Sequence, residues 1–577
     1  MANKNKIANK HDLIDLTEIC NFYQDFNKNN LTRKYKIYFN LNYNKQEEKK
    51  IIFISERILN RLTSVLNKNY SYNFKKSFWR ILLSPLIIYL CQSLWFHYQV
   101  SNTIFKKKKY KYNIEKIYKP KISTSRDIFE YLSSLEGTKF INYLILSKTL
   151  KNFDEKKFII VNYKNNKNYI KNILIKLIFY YKISSTLLIS LINNTFIFGI
   201  KNINSFNKIK FKNKKNLKKN KNISFRKVSK INIYNYKSKK KFYKNRKKDD
   251  IIFELICENF NSFLPHSVFA NFRNKLILND ILNRIFKLYN KKIIIGPYLG
   301  GNDSIKLLLS IQKQYNNNKL FIHQHGGYYG ILKNFSQMNF IEYKNAFKFI
   351  SWGWSKHSNY KIKSIPLPVP HISKLHLLNT KSKYVNNSKI KVAFVGTEIP
   401  KYFNSFSSAI KNYNINYYLN DKKIIVKKLN KEFHLYYKPY FSKNSINEVE
   451  LLKNYNHDLK ILKDNFEKNI FDFDIVILDH PGTLFNYLLG AKIPCMFLFN
   501  PKIWNFDKNF DLLLSKINNL NVIFYDPLEL VKYLNKNYEN YINNFSNLYN
   551  NKNIKDLINK YCNNNKSWIE NWNNKIN

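Results

Sequence analysis

The sequence predicts an α/β protein: two doubly wound domains that face a cleft, preceded by a helical N-terminal region. Apolar, β-branched runs alternate with helical patterns in two separate blocks, and a Pro-rich stretch joins the blocks. Residues 1–120 show apolar positions at three- and four-residue spacing, which is typical of helices. Because strands that alternate with helices pair in parallel, each block is expected to form a parallel sheet.

Length and composition are consistent with several folded domains. A chain of 577 residues is too long for one hydrophobic core. The formal net charge is +61, but Lys is spread along the whole chain and accompanies an excess of Asn, Ile, Tyr and Phe. AT-rich codons produce that set, so we favour codon bias over a selected basic surface. A chain of this charge still attracts anionic lipid and phosphate.

The cysteines and the N-terminus favour a cytoplasmic protein. The five cysteines are widely separated and include no Cys-x-x-Cys pair, which argues against a disulfide framework and a zinc ribbon. The N-terminus is basic but lacks the apolar segment of a signal peptide. We therefore expect a cytoplasmic location, with peripheral contact to the inner face of the cytoplasmic membrane as an extension of it.

Two apolar segments are predicted to be buried rather than to span a membrane. Residues 81–96 are uncharged but shorter than the ~20 residues that a span needs. Residues 173–200 are longer but carry Lys176 and Lys182. The Lys/Asn-rich residues 201–249 show little periodicity and are predicted to be a surface insertion or disordered loop, with a lipid- or nucleic-acid-binding arm as the alternative.

The first block carries a helix between short strands. The predicted elements are residues 127–146 (helix), 291–301 (strand), 304–315 (helix), 319–327 (strand) and 347–354 (strand). Residues 363–373 hold prolines at alternate positions, a pattern predicted to be extended, not helical, and to link the domains. The second block comprises strands at 389–396, 433–440, 473–482, 493–499 and 521–527, with a helix at 483–491.

The stretch "FIHQHGGYYG" is the strongest candidate for chemistry. His323 and His325 lie two residues apart, so they share one face of a strand at its carboxyl end, where open α/β sheets bind ligands. An imidazole there can accept a proton from an attacking hydroxyl. The glycine turn that follows allows close backbone approach; it consists of Gly326, Gly327 and Gly330. The alternatives are an ordinary strand-end turn and a metal site, and the latter lacks further ligands nearby.

A second strong candidate and two further ones accompany it. In "DHPGTLFNYLLG" a buried strand meets a helix near Thr483, which is expected to cap that helix beside an anion-binding N-terminus. Lys438, at a strand end, is a candidate for phosphate binding, although a solvated Lys is the commoner case. Trp352 and Trp354 would share a face for stacking on a substrate, with core packing as the commoner alternative.

Together these stretches resemble a family of transferases from O-antigen and surface-polysaccharide gene regions. The likeness runs through residues 78–99, residues 323–330 with the nearby Glu342, residues 351–354 and residues 479–501. It implies a GT-B-like fold with two Rossmann-like domains. The implied divisions are 1–120 (helical), 121–365 (acceptor domain containing the 201–249 insertion), 366–388 (linker), 389–545 (donor-nucleotide domain) and 546–577 (C-terminal helices).

The resemblance also implies roles for residues. The Gln324-His325-Gly326 element is similar to one in CDP-glycerol polymerising enzymes, which makes His325 the expected base and His323 its support. By likeness to bacterial sialyltransferases, Lys438 and the Gly482–Thr483 turn would grip the donor phosphate. The following helix has no acid, so Asn486 is expected to hold donor hydroxyls.

The expected function is transfer of a sugar or polyol phosphate from a nucleotide-activated donor to a glycan or lipid-linked acceptor, in lipopolysaccharide or capsule synthesis. No cofactor or metal and no specific nucleic acid is expected, and the sequence gives no oligomeric state. An anionic membrane surface is a further expected partner. The alternatives are a non-catalytic basic protein that binds membrane or nucleic acid, and a nucleotide-sugar epimerase-like enzyme, which is disfavoured because no acidic partner of the histidines is evident.

Overall fold

The computed structural model describes most of the chain outside its N-terminus and the basic insertion. The described ranges are 45–105, 115–149, 247–286, 292–296, 302–315, 320–379, 389–402, 414–442 and 445–576, with the short segments 13–14, 111–112, 158–162, 195–198, 288–290 and residue 410. The predictions for residues 201–246, and for residues 173–200 except the strand at 195–198, fall outside these residues.

The N-terminal region is built mainly from two long helices, α1 (Lys45–Tyr70) and α2 (Lys76–Phe105). The prediction that residues 81–96 are buried is confirmed, since every one of them lies inside the protein. By length and composition, α2 is the one helix among the described residues that could cross a membrane, and 94% of its apolar window is buried in this structure. Because α2 is buried, the rest of the N-terminal region can pack around it.

Short parallel strand pairs flank these helices. Strand β1 (Leu13–Ile14) pairs with β2 (Lys111–Tyr112), and β3 (Glu115–Lys119) pairs with β4 (Phe158–Asn162). The N-terminal region, predicted to be mainly helical, therefore also contains strands at residues 111–112 and 115–119. The single helix predicted at 127–146 is wrong, because α3 (Ser125–Leu132) ends before α4 (Leu135–Thr149) begins. The Ser134 hydroxyl donates to the Tyr131 carbonyl and accepts from the Gly137 N–H at this break.

The first block forms a five-stranded sheet in which every pairing is parallel. Its strands are adjacent in chain order: β5 (Thr195–Phe198), β6 (Lys292–Ile295), β7 (Leu320–His323), β8 (Lys348–Ser351) and β9 (Ser364–Pro366). The helices between them are α5 (Lys248–Phe263), α6 (His266–Phe269), α7 (Phe272–Ile285), α8 (Asp303–Tyr315) and α9 (Ser336–Met338). A π-helical turn at Asn339–Tyr343 follows α9.

The Pro-rich stretch is strand, then helix. Residues up to Pro366 extend the sheet as β9, whereas Pro370 opens helix α10 (Pro370–Leu378). The prediction that residues 363–373 contain no helix is therefore wrong from Pro370 onward. Proline has no N–H to donate, so it fits the first helical turn, where that donor is not needed.

The second block forms a six-stranded sheet, again parallel at every pairing. Its strands are β10 (Lys391–Val395), β11 (His434–Lys438), β12 (Lys460–Ile461), β13 (Ile475–Leu478), β14 (Cys495–Leu498) and β15 (Ile523–Phe524). They lie in the order β12-β11-β10-β13-β14-β15. The chain order thus reverses between β10 and β13, and open α/β sheets bind ligands outside the carboxyl ends of strands at such a point.

Helices of the second block precede a C-terminal segment that returns to the first sheet. The helices are α11 (Ile415–Lys428), α12 (Val449–Lys453), α13 (Thr483–Gly490), α14 (Lys508–Ser515), α15 (Pro527–Asn544), α16 (Lys552–Tyr561) and α17 (Trp568–Ile576). In α17 the buried Trp572 donates its indole N–H to the Pro368 carbonyl at 2.9 Å. It packs among Phe321, Ile350 and other buried residues of the first sheet.

The sequence prediction of a parallel sheet in each block is confirmed. The inner strands read as continuous apolar runs because both of their faces are covered; β7, β13 and β14 are buried at every residue. Both sheets end in turns that contact each other, and these turns carry the predicted site residues.

Candidate active site

The two histidines of the opening motif occupy different environments. His323 ends β7, is 4% exposed, and packs its ring against Trp572 with 5.4 Å between centroids. Burial lowers the pKa of His323 to about 3, so its imidazole is neutral. His325 lies beyond the strand and keeps 34% of its side-chain surface exposed. The structure therefore places His325 where a substrate can reach it, and His323 in the core beneath.

Gln324, between the histidines, joins the two halves of the sequence motif. Its Oε1 accepts from the Trp352 backbone N–H at 3.0 Å and from the Trp354 indole N–H at 2.8 Å. Its own carbonyl accepts from the Trp352 indole at 3.0 Å. Its Nε2 donates to the Gly326 carbonyl at 2.8 Å. One amide thus fixes the turn after β7 to the turn after β8.

The tryptophans do not line an open surface. Trp352 and Trp354 are 3% and 2% exposed, and neither offers an accessible ring face for stacking on a substrate. Gly330 has a φ of +74°, and a Cβ on it would overlap the Trp354 ring, so this glycine of the predicted turn serves backbone geometry and packing. The Trp-Gly-Trp segment therefore packs beneath the site and does not form a stacking surface for a substrate.

A buried acid lies beside His325. Glu342, on the π-helical turn, is fully buried, and its Oε1 lies 3.6 Å from His325 Nδ1. The Tyr329 hydroxyl donates to Glu342 Oε2 at 2.7 Å and lies 3.1 Å from His325 Nδ1. Because that hydroxyl gives its proton to Glu342, its oxygen can accept the imidazole N–H. Tyr329 therefore connects the acid to the histidine.

The protonation of this pair follows from its enclosure. Burial raises the pKa of Glu342 to about 8, and the Tyr329 hydrogen bond opposes that rise. Partial desolvation lowers the pKa of His325, which remains partly exposed, to about 4. Between those values the pair holds one proton, on Glu342, and His325 is a neutral acceptor. A proton taken up by His325 would lie near the Tyr329 hydroxyl oxygen and the Glu342 carboxyl group, which are the polar groups beside the ring.

The glycine turn contacts the start of α13 directly. A Cβ on Gly327 would collide with the Gly482 carbonyl and with Asn486 Oδ1, so only glycine allows this approach. The Gly327 N–H donates to the Thr483 hydroxyl at 3.2 Å. The structure thus brings together the predicted glycine turn of the first block and the predicted Thr turn of the second.

The predicted donor residues have different surroundings. Thr483 is the first helical residue, and the N-cap is Gly482 without a side-chain hydrogen bond, so the prediction that Thr483 caps α13 is wrong. Asn486 is fully buried and donates to the Tyr561 carbonyl at 2.7 Å. Lys438 ends β11 and donates to the Lys463 carbonyl at 3.4 Å. The contacts of the described residues do not join Lys438 to Thr483 or Asn486.

A charged network that the sequence did not reveal lies where the second sheet reverses its order. Asp479, directly after β13, accepts from the Tyr418 hydroxyl at 2.8 Å and lies 3.1 Å from His480 Nδ1. The fully buried Lys422 lies 3.4 Å from Asp479 and 3.5 Å from Glu448. This network fixes the carboxyl ends of β10 and β13 with the carboxylate charges paired.

Sequence reasoning overlooked Gln324, Tyr329 and the Asp479 network, although it noted Glu342. Gln324 and Tyr329 stand inside the quoted motif, so the motif itself was the available signal. Lys422 lies on a Lys-rich helix, and no sequence signal distinguishes it there. Within the described ranges, no group of three or more His, Cys, Asp or Glu side chains is placed to hold a metal ion.

A family model described as LIC12162 family transferase matches residues 2–576. No curated protein matches the chain.

Proposed function

The chain belongs to the LIC12162 family of transferases, and from that premise we propose that it moves a sugar or a polyol phosphate from a nucleotide-activated donor to a glycan or lipid-linked acceptor. The observation that carries the proposal is the contact between the His325 turn and the start of α13. It unites a proton acceptor from one sheet with a helix N-terminus from the other. Those are the two groups that transfer from a phosphate leaving group needs.

In the proposed step, His325 acts on the acceptor hydroxyl. The hydroxyl oxygen forms a bond to the donor's sugar carbon (or phosphorus) while its proton passes to His325. The bond from that atom to the nucleotide phosphate breaks, and its electron pair leaves with the phosphate oxygen. Glu342 and Tyr329 hold the imidazole in position for this proton transfer.

The leaving phosphate is proposed to lie near the start of α13. A helix N-terminus stabilises an anion through its backbone N–H groups and dipole. Thr483 remains partly exposed there. Lys438, at the end of β11, supports the proposal through its charge at the same edge of the sheet. Asn486 is not part of it, since its amide is buried and bonded to the Tyr561 carbonyl.

The domain arrangement and the pathway are proposed as well. We propose a GT-B arrangement in which residues 121–365 bind the acceptor and residues 389–545 bind the donor nucleotide. A lipid-linked acceptor would place the reaction in O-antigen or capsule synthesis, at the inner face of the cytoplasmic membrane. The net charge of +61 supports contact with an anionic surface.

The test is transfer activity with the His325→Gln variant. The assay follows nucleotide release and label incorporation from a panel of nucleotide sugars and CDP-glycerol, with lipid-linked glycans from the source organism as acceptors. Loss of a positioned base typically costs about a hundredfold or more in rate. The same substitution at the exposed His457 should leave the rate unchanged. Full activity in His325→Gln would refute the assignment of the base.

An epimerase-like reaction is the second candidate, because the structure removes the objection raised from sequence. Acidic partners do accompany the histidines: Glu342 lies beside His325, and Asp479 beside His480. The transfer assay separates the two. An epimerase would interconvert a nucleotide sugar without any acceptor, whereas a transferase would require one.

A further inference from the structure

One accessible carboxylate lies where the second sheet reverses its order. Glu398 follows β10 by three residues and is partly exposed. The neighbouring acids are committed elsewhere: Asp479 is buried against Lys422 and Tyr418, and Glu448 is buried within the same network. Glu398 is thus the carboxylate that a ligand at this point of the sheet could reach.

A loop after β11 is fixed beside Glu398. The Ile446 N–H donates to the Ile399 carbonyl at 2.8 Å, and Pro400 forms an antiparallel bridge with Ser445. The Ser445 hydroxyl donates to Glu398 Oε1 at 3.3 Å. These bonds hold residues 445–446 along the segment that leaves β10.

Two aromatic residues at the start of this loop are exposed. Tyr440 is 52% exposed and Phe441 is 56% exposed, large values for aromatic side chains in a folded protein. Val395 at the end of β10 pairs with Lys438 at the end of β11, so Glu398 and Tyr440 follow neighbouring strand ends. Partial burial raises the pKa of Tyr440, and the Glu398 carboxylate raises it further. Lys438 lies 4.9 Å from the centre of the Phe441 ring. A carboxylate, two exposed aromatic rings and a cation therefore lie at the carboxyl ends of β10 and β11.

The first block contributes a side chain to the same place. The Tyr328 hydroxyl, from the glycine turn, lies 3.5 Å from the Thr397 hydroxyl, and its ring stacks on Trp504 with 6.3 Å between centroids. Burial is the main cause of a raised pKa at Tyr328, and Glu398 and Tyr440 add to it. The cluster of Glu398, Tyr440 and Tyr328 therefore adjoins the His325 turn.

We propose that Glu398, Tyr440 and Tyr328 form a subsite for a ligand group that carries neighbouring hydroxyls. The Glu398 carboxylate accepts from the Ser445 hydroxyl, and the lone pairs that remain on its two oxygens can accept hydrogen bonds from adjacent ligand hydroxyls. Tyrosine offers an apolar face to the C–H side of a sugar ring and a hydroxyl at its polar end. The group is a ribose, or the sugar or polyol that is transferred. This inference rests on the proposed function and adds the residues that select a hydroxylated ligand.

The test compares probes that differ only in hydroxyls. Calorimetry on the full chain would measure binding of UDP and CDP, of their 2′,3′-dideoxy analogues, and of UDP-glucose and CDP-glycerol. Glu398→Gln keeps the shape of the side chain but removes its charge. Glu432→Gln is the matched control, because Glu432 is exposed and precedes β11, at the opposite edge of the sheet. Tyr440→Ala is the second variant and removes an exposed ring without disturbing the core.

The expected result is about a tenfold or greater loss of affinity in Glu398→Gln for a hydroxyl-bearing probe, with Glu432→Gln unchanged. If the ribose binds here, the variant loses affinity for UDP or CDP but not for the dideoxy analogue. If the transferred group binds here, the variant loses only the affinity by which UDP-glucose exceeds UDP, or CDP-glycerol exceeds CDP. Tyr440→Ala should weaken the same probe.

Two outcomes would overturn the inference, and they are distinguishable. If the unaltered chain binds a probe and Glu398→Gln binds every probe equally well, the subsite is refuted while the proposed function stands. If the unaltered chain binds none of the nucleotides, the proposed function fails and this inference fails with it.

Discussion

At the scale of single residues, the site depends on a neutral histidine backed by a buried acid. His325 is partly exposed, whereas Glu342 is fully buried 3.6 Å away, and Tyr329 bonds to both. An acid held in an apolar site keeps its proton to a higher pH than usual. The pair therefore has a distinctive pH dependence that can be measured without knowing the substrate.

Glu342→Gln should change how stability depends on pH. The folded chain holds the Glu342 proton up to about pH 8, whereas the unfolded chain releases it near ~4.3. Folding stability therefore falls as pH rises between these values, by at most about 1.4 kcal/mol per pH unit. The lowered pKa of His325 opposes this only below its unfolded value of ~6.5. Between pH 6.5 and 8, urea unfolding should show the wild type losing stability relative to Glu342→Gln.

The matched control is Glu450→Gln, at an exposed position on α12. Its unfolding free energy should follow that of the wild type in parallel across the same pH range. If Glu342→Gln also runs parallel to the wild type, Glu342 is not protonated in the folded protein, and its proposed partnership with His325 is wrong.

The sequence contained the site residues of the first block but not their contacts. The motif places His325, Gln324 and Tyr329 within a few positions, yet period-two alternation predicts that His323 and His325 face the same way. The structure differs because the strand ends at His323, and the chain then turns on Gln324 to reach the tryptophans. Hydrogen bonds to residues about thirty positions away decide that turn, and no local pattern encodes them.

At the scale of elements, the glycine turn and α13 bring the two blocks into close contact within the site. Gly327→Ala should force the turn away from Gly482 and Asn486, because its Cβ has no room between them. We expect a loss of about 1–3 kcal/mol in the free energy of unfolding, the usual cost of overpacking. Urea unfolding followed by tryptophan fluorescence measures it.

Gly326→Ala is the matched control, one residue away. A Cβ there would lie 3.5 Å from the Thr483 hydroxyl, at ordinary contact distance, and Gly326 does not require a left-handed backbone. Removing a glycine without strain stabilises a protein by about 0.4–1 kcal/mol. The two variants should thus shift stability in opposite directions. Equal effects would mean that the turn does not pack on α13 as described.

Element boundaries show where sequence reasoning fails. The prolines of residues 363–373 predicted extended chain throughout, yet Pro370 starts a helix, since proline disfavours helix interiors but not first turns. Thr483 was expected to be the cap, but Gly482 takes that position and the Thr hydroxyl accepts from Gly327 instead. In both cases the sequence signal predicts the right type of structure but misplaces its boundary. The error is one position at Thr483 and one helical turn at Pro370.

At the scale of the whole molecule, the alternation of strands and helices was enough to predict both parallel sheets. It did not predict that α17 returns to the first sheet, because the Trp572–Pro368 bond joins residues far apart in sequence. It also missed the β3–β4 pair, whose strands are separated by two helices. Because the C-terminal segment covers the first sheet, His323 lies in the core. His325 is then the accessible histidine of the motif.

The central claim is that one site, built from the turns of both sheets, binds a nucleotide donor. Hydrogen–deuterium exchange with and without UDP, CDP or CMP tests this directly. The account predicts that a single nucleotide slows exchange in peptides covering residues 395–402, 479–486 and 323–330 together, while α14 is unchanged. Protection of only one sheet's turns, or of none of these peptides with any nucleotide, would contradict it.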